Sequence, residues 1–182
     1  MQRNIACVDL FCGAGGLTHG FVLEGLPVVA GIDLDPACRF PYEQNNGAAR
    51  FLERDIGTIT TTELKLFGNA DVTILAGCAP CQPFSTYAQR YEVNGNDGKW
   101  GLLYQFARLA EGTMPDVITM ENVPTVAKHA VFHDFVDTLK RLGYEVWYAV
   151  VDSSLYGVPQ IRRRMVLLAS KHGKIEMIEP TR

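Results

Sequence analysis

The chain has 182 residues, 47% of them hydrophobic, and a formal net charge of −3. This composition supports one globular domain over residues 1–182, with a sizeable core. No apolar run is long enough to span a membrane, and the N-terminus lacks a secretory signal pattern. Most nucleic-acid-binding proteins are basic, so the overall charge argues mildly against such a partner, although the three arginines at 162–164 form a local basic patch.

The five cysteines are an odd number, which disfavours a disulfide framework. We therefore expect reduced thiols and a cytoplasmic protein. Cys78 and Cys81 have the Cys-x-x-Cys spacing, but Pro83 follows them and no second pair is present. Because a structural zinc site needs four ligands, the sequence favours neither a zinc site nor a redox motif, and no metal is expected.

Short apolar runs alternate with helical patterns along the chain. The predicted strands are residues 5–11, 28–32, 50–53, 72–76, 117–120, 144–151 and 164–170. Helices are predicted over residues 17–26, 36–45 and 131–142. This alternation predicts a parallel, doubly wound sheet. Residues 87–100 are polar and contain two glycines, which predicts a long loop of the kind that is usually a functional lid or a disordered segment.

A glycine-rich turn follows the first predicted strand and favours a cofactor site there. Gly13, Gly15 and Gly16 allow a sharp turn and close approach of a ligand to the backbone. Their spacing differs from the Gly-x-Gly-x-x-Gly turn that binds the pyrophosphate of a dinucleotide. A cofactor without phosphates, such as S-adenosylmethionine, has no such requirement.

The ends of the next two strands carry residues suited to a nucleoside. Asp33 can bind two ribose hydroxyls, and Leu34 beside it offers an apolar face for a purine. Asp55 and Ile56 offer a further acceptor and a further apolar wall. Asp33 and Asp35 could instead cap the helix that begins at residue 36; we expect the cap for Asp35 and ligand binding for Asp33.

Three chemically active groups stand at the boundaries of later strands. Cys81 lies in a turn between two prolines, directly after the fourth strand. Glu121 follows the fifth strand, where a cap or a surface ion pair is the alternative to a binding role. Arg162 and Arg164 would share one face of a strand, with Arg163 on the other. A thiol, a carboxylate and two guanidinium groups at one sheet edge suggest covalent chemistry on a polar, planar substrate.

The order and spacing of these motifs resemble the cytosine-5 DNA methyltransferases over nearly the whole chain. The resemblance rests on four segments: residues 9–16, 80–82, 121–123 and the Gln-x-Arg-x-Arg pattern at 160–164. It implies an α/β, Rossmann-like, S-adenosylmethionine-dependent methyltransferase fold. Such a fold has a mostly parallel seven-stranded sheet with helices on both faces.

The resemblance also implies a role for each matched residue. Cys81 would add to carbon-6 of a flipped cytosine, Glu121 would contact ring nitrogen 3 and the exocyclic amine, and Arg164 would hold the oxygen at position 2. Arg162 would orient the thiol and nearby backbone. The implied cofactor-binding residues are Phe11, Gly13, Gly15, Asp33, Leu34, Asp55, Ile56 and Pro80. For Phe11, a place in the core is the alternative.

The implied nucleic-acid contacts follow the thiol. Gln82 and Ser85 would touch double-stranded DNA near the vacated base. Lys99 stands where the family usually has an arginine. A lysine is still attracted to phosphate but cannot form the two parallel hydrogen bonds of an arginine.

The family normally continues beyond Arg182 with a target-recognition domain and a last segment that completes the cofactor pocket. We therefore expect a catalytic fragment, weakly active or inactive alone, whose missing half or second polypeptide carries target recognition. A restriction-modification system is the expected context. A transfer RNA cytosine-5 methyltransferase and a non-catalytic partner subunit are the alternatives; retention of Cys81, Glu121 and Arg164 counts against the latter.

Overall fold

The computed structural model describes residues 3–64, 67–80 and 101–181. The strands within these residues are β1 Ile5–Leu10, β2 Val28–Asp33, β3 Arg50–Glu53, β4 Val72–Gly77, β5 Val117–Asn122, β6 Glu145–Asp152 and β7 Arg163–Ser170. The α-helices are α1 Gly16–Leu23, α2 Arg39–Asn46, α3 Gly101–Thr113 and α4 Ala130–Arg141. Short 3-10 helices span Pro36–Cys38, Pro124–Lys128 and Ser153–Tyr156.

The strands form one seven-stranded sheet in the order β3-β2-β1-β4-β5-β7-β6. The pairs from β3 to β5 are parallel, whereas β7 runs antiparallel to both of its neighbours. The predicted mostly parallel sheet is confirmed, and the wholly parallel sheet that alternation alone predicts is wrong at β7. Residues 153–162 join β6 to β7, and this link is shorter than the dozen or more residues that a parallel crossover needs.

Several predicted boundaries differ from the structure. β5 continues to Asn122, so Glu121 lies inside the strand rather than after it. β7 begins at Arg163. The second helix starts as a 3-10 turn over Pro36–Cys38, and α3 had not been predicted at all.

Helices cover both faces of the sheet, as expected, but unequally. The larger core lies on the side of α3 and α4, and the smaller core lies on the side of α1 and α2. β1 is buried along almost its whole length, which explains why it reads as a continuous apolar run. α4 buries residues at helical spacing, which are Val131, Phe132, Phe135, Val136 and Leu139. Among the helices described, none is long and apolar enough to cross a membrane.

Candidate active site

One edge of the sheet gathers the polar residues that the sequence singled out. The carboxyl ends of β1, β2, β4 and β5 lie there because these strands are parallel. β7 is antiparallel to β5, and Asn122 pairs with Met165. The amino end of β7 therefore lies at the same edge, which brings Arg164 to the side of the sheet where β5 ends.

The glycine turn after β1 is shaped by packing against α2. Phe11, Gly13 and Gly15 have φ values of 57°, 51° and 88°, in the left-handed region that favours glycine. A Cβ on Gly15 would lie 2.2 Å from Nδ2 of Asn46 and 2.8 Å from Cδ2 of Tyr42. A Cβ on Gly13 would have no atom within 4 Å. The backbone conformation thus favours glycine at both Gly13 and Gly15, and at Gly15 the neighbours in α2 also leave no room for a side chain.

Asp33 is held in place by backbone amides from two directions. Its Oδ2 accepts a hydrogen bond from the N–H of Gly13 at 2.9 Å, and its Oδ1 accepts one from the N–H of Asp35 at 3.0 Å. The residue is 8% exposed. Oδ1 of Asp35 accepts the N–H of Ala37 at 2.9 Å and so caps the 3-10 helix, which confirms the cap predicted for Asp35.

The other predicted cofactor residues fall into two groups. Phe11 and Ile56 are 6% and 0% exposed and pack into the larger core. For Phe11 this is the placement of the alternative interpretation, and Ile56 offers no open apolar wall in this structure. Leu34, Asp55 and Pro80 retain exposed surface. Contact of these five residues with a cofactor remains a prediction.

A buried polar network beneath the glycine turn was missed by sequence reasoning. Asp9 is 0% exposed, and its Oδ2 accepts the hydroxyl of Thr18 at 2.7 Å. The hydroxyls of Thr18 and Tyr42 are 3.1 Å apart. Burial raises the pKa of Asp9 to about 7, opposed by the hydrogen bonds from Thr18 and assisted by the charge of Asp33. The signal in the sequence was an aspartate inside an otherwise apolar strand.

Glu121 and Arg164 form the polar centre of the other half of the edge. Arg164 Nε lies 2.7 Å from Oε1 of Glu121, and the side chains are 23% and 32% exposed respectively. Arg164 also donates from Nη1 to the carbonyl oxygen of Arg163 at 2.8 Å. The structure therefore joins two predicted site residues in a partly exposed ion pair, in which the arginine neutralises and orients the carboxylate.

Arg162 does not share a strand face with Arg164, because it lies just before β7 begins. It is exposed, and its backbone is fixed by two hydrogen bonds. Its N–H donates to Oδ1 of Asp152 at 3.3 Å, and its carbonyl oxygen accepts the N–H of Ser153 at 2.9 Å. In its predicted role, Arg162 would therefore act from the loop before β7 and not from the sheet.

The described cysteines are poorly suited to nucleophilic chemistry. Burial raises the pKa of Cys7, Cys12, Cys38 and Cys78 above its usual range, and for Cys78 the nearby charges of Glu121 and Asp9 raise it further. A raised pKa keeps the thiol protonated and inert. Four predicted site residues lie outside the part of the chain that the structure describes: Cys81, Gln82, Ser85 and Lys99.

The strand order, the glycine turn and the carboxylate at the end of β2 define a Rossmann-like, S-adenosylmethionine-dependent methyltransferase fold. The chain matches the family described as C-5 cytosine-specific DNA methylase over residues 5–182. The chain therefore belongs to that family.

Similar proteins agree with this assignment. The type II methylase M.HgiDII of Herpetosiphon aurantiacus is 49% identical over 180 residues, which cover 97% of this chain and 50% of that protein. The type II methyltransferase M.XorII of Xanthomonas oryzae is 34% identical over 181 residues, which cover 95% of this chain and 42% of that protein. The chain spans about half the length of these curated relatives.

A solved structure supports the fold independently. The S. pombe Dnmt2 methyltransferase aligns with a TM-score of 0.76 at 21% sequence identity, covering 97% of this chain and 52% of that chain. At this identity the likeness bears on the fold alone.

Proposed function

We propose that this chain is the catalytic part of an enzyme that transfers a methyl group to carbon-5 of cytosine in double-stranded DNA. The observation that carries the proposal is the Glu121–Arg164 pair, with Nε and Oε1 2.7 Å apart at the edge where β4 and β5 end. A carboxylate and a guanidinium group so arranged can bind the polar edge of a pyrimidine. The names of the type II relatives support a role in restriction and modification.

The residues present fit S-adenosylmethionine as the cofactor. Asp33 offers a carboxylate whose orientation is fixed by the N–H groups of Gly13 and Asp35, which suits a ribose diol. With Asp33, the residues proposed to hold the cofactor are Gly13, Gly15, Leu34, Asp55 and Pro80, whereas Phe11 and Ile56 are buried in the larger core. Bound there, the sulfonium would supply an electrophilic methyl group.

The low reactivity of cytosine at carbon-5 explains why the reaction needs a thiol. Carbon-5 of cytosine is a poor nucleophile, and addition of the Cys81 thiolate to carbon-6 makes it an enamine carbon. After methylation, a base such as water takes the proton from carbon-5, the carbon–sulfur bond at carbon-6 breaks to release the thiolate, and the ring is aromatic again. Cys81 is the candidate because the raised pKa of each described cysteine keeps it protonated.

Glu121 and Arg164 stabilise the ring while it carries the added thiolate. The Glu121 carboxyl group contacts ring nitrogen 3 and the exocyclic amine, and Arg164 holds the oxygen at position 2. The base must leave the duplex first, at a cost of roughly a few kcal/mol. Their partial exposure leaves both side chains accessible to an incoming base.

We assign recognition of the DNA sequence to polypeptide beyond the present chain, as a continuation or as a second subunit. The supporting observations are the coverage of about half of each relative and the net charge of −3. Proteins that neutralise many phosphates are usually basic, and the net charge of this chain is negative. The chain alone is therefore expected to methylate DNA slowly or not at all.

Covalent trapping tests the function directly. The whole protein is incubated with S-adenosylmethionine and a duplex containing 5-fluorocytosine, which cannot lose its substituent from carbon-5. A denaturation-resistant adduct on Cys81, absent from the Cys81→Ala variant, is the expected result. Cys38→Ala is the matched control and should still form the adduct.

Two outcomes would overturn the proposal. An adduct that maps to Cys78 would move the nucleophile to another residue. Adducts and methyl transfer on transfer RNA, with none on DNA, would show that the substrate is transfer RNA and not DNA.

A further inference from the structure

Arg108 on α3 makes an unusual set of contacts with the loop that follows β3. Its Nη1 donates to the carbonyl oxygen of Ile59 at 2.9 Å, and its Nη2 donates to that of Ile56 at 3.0 Å. Its Nε donates to Oε1 of Gln105 at 2.7 Å. Each guanidinium nitrogen therefore has a partner, and two of the three partners belong to one short stretch of backbone.

The same face of α3 meets this loop a second time. Gly112 lies one helical turn after Arg108, and a Cβ there would be 1.9 Å from Cγ2 of Thr61. Only a residue without a side chain allows the helix and the loop to approach so closely. The loop is thus fixed against α3 at two points, by hydrogen bonds at one and by close packing at the other.

The loop also contains Asp55, which the sequence predicts as a further hydrogen-bond acceptor at the cofactor site. Oδ1 of Asp55 accepts the N–H of Gly57 at 2.9 Å, and its carbonyl oxygen accepts the N–H groups of Thr58 and Ile59. These bonds form a compact turn with the Ile56 and Ile59 carbonyl groups on the side of Arg108. The position of the Asp55 carboxylate depends on where this turn is held.

We propose that Arg108 is a positioning residue for cofactor recognition, holding the turn at residues 55–59 so that Asp55 faces the adenine base. Arg108 does not touch the ligand; it acts through the carbonyl groups of Ile56 and Ile59. This inference rests on the proposed function, because it requires a cofactor with an adenine base at this edge.

Calorimetry with S-adenosylhomocysteine and with S-inosylhomocysteine, which lacks the exocyclic amine of adenine, separates positioning from general stability. Arg108→Met should weaken binding of the adenine compound by about tenfold, the scale of one lost charge-assisted hydrogen bond. It should weaken binding of the inosine compound less, so the ratio of the affinities for the two compounds should become smaller. Arg108→Lys retains a cation and should recover part of that preference.

Arg141→Met is the matched control, since this arginine lies on α4 in an exposed ion pair with Glu111. It should leave both affinities unchanged. If Arg108→Met does not fold, Gln105→Ala leaves the arginine in place but frees its Nε, and the same narrowing is expected at smaller size.

The outcomes distinguish this inference from the proposed function. If the Arg108 and Gln105 variants keep the ratio of the two affinities, whether or not both affinities fall, the positioning role alone is overturned. Failure of the unaltered protein to bind the adenine compound would overturn the proposed cofactor, and the inference with it.

Discussion

The two halves of the candidate catalytic edge are built in different ways. In the half formed by β1 and β2, Asp33 is bound by backbone N–H groups and Asp9 is buried beneath the turn. In the half formed by β5 and β7, the polar atoms of Glu121 and Arg164 bind each other and remain partly exposed.

The difference indicates separate tasks. Backbone amides cannot rotate away, so the first half presents the same surface before and after each reaction. An ion pair between two side chains can exchange its partners, so in the proposed reaction Glu121 and Arg164 could bind a base instead of each other. Variants in the first half should therefore change cofactor affinity or stability, and variants in the second should change the rate of chemistry.

The largest effect is expected from Glu121→Gln. The amide keeps the shape and can still accept from Arg164, but it can neither give nor take a proton. Methyl transfer under single-turnover conditions should slow by about 10²- to 10⁴-fold, with cofactor affinity unchanged. Glu145→Gln, at the start of β6, is the exposed control. A large loss of cofactor affinity with an unchanged rate of methyl transfer would contradict the assignment of separate tasks to the two halves.

Asp9 should give the protein a pH-dependent stability. The unfolded chain ionises this carboxyl group near its ordinary pKa of 3.8, whereas the folded protein does so only near 7. Unfolding therefore releases a proton between these values. The stability that the protonated group contributes is fully present below 3.8 and is lost as the pH rises through about 7, by up to about 4 kcal/mol.

Urea unfolding of Asp9→Asn between pH 4.5 and 7.5 measures this contribution. The amide does not ionise, so the variant should lose the downward slope that the unaltered protein shows. Asp137→Asn, on the exposed side of α4, should keep it. Parallel curves for Asp9→Asn and the unaltered protein would contradict a buried, protonated carboxyl group.

A smaller effect is expected from Asp33→Asn. An amide has only one acceptor oxygen, so one of the N–H groups of Gly13 and Asp35 loses its partner. Affinity for S-adenosylmethionine, measured by calorimetry, should fall by about 10- to 100-fold, while the rate at saturation changes little. Asp35→Asn is the control, because asparagine also caps helices well. Equal losses from both variants would mean that the turn, not the carboxylate, matters.

The sequence predicted the parallel part of the sheet well and the remainder less well. β3 was predicted with its observed bounds, although only Phe51 and Leu52 of its four residues are apolar. The direction of β7 could not be read from its alternation, since a period of two is the same in either direction. α3 was overlooked although Leu102, Phe106 and Leu109 recur at helical spacing.

The candidate site was predicted residue by residue but not in its internal contacts. Nothing in the order of residues indicates that Thr18 binds both Asp9 and Tyr42, because the three residues are brought together only by tertiary packing. The burial of Ile56 and the contacts of Arg108 depend on α3 in the same way. Motifs identify which residues carry chemistry, and tertiary packing decides how they are oriented.

The antiparallel direction of β7 decides at which edge of the sheet the guanidinium group of Arg164 lies. Arg164 is the second residue of an eight-residue strand. Had this strand run parallel to its neighbours, Arg164 would lie near the opposite edge of the sheet, displaced by about 17 Å at roughly 3.3 Å per residue. The antiparallel direction of this one strand thus places Arg164 at the edge where the proposed chemistry requires a cation. In a permuted sequence with a parallel strand here, another residue would have to supply that cation.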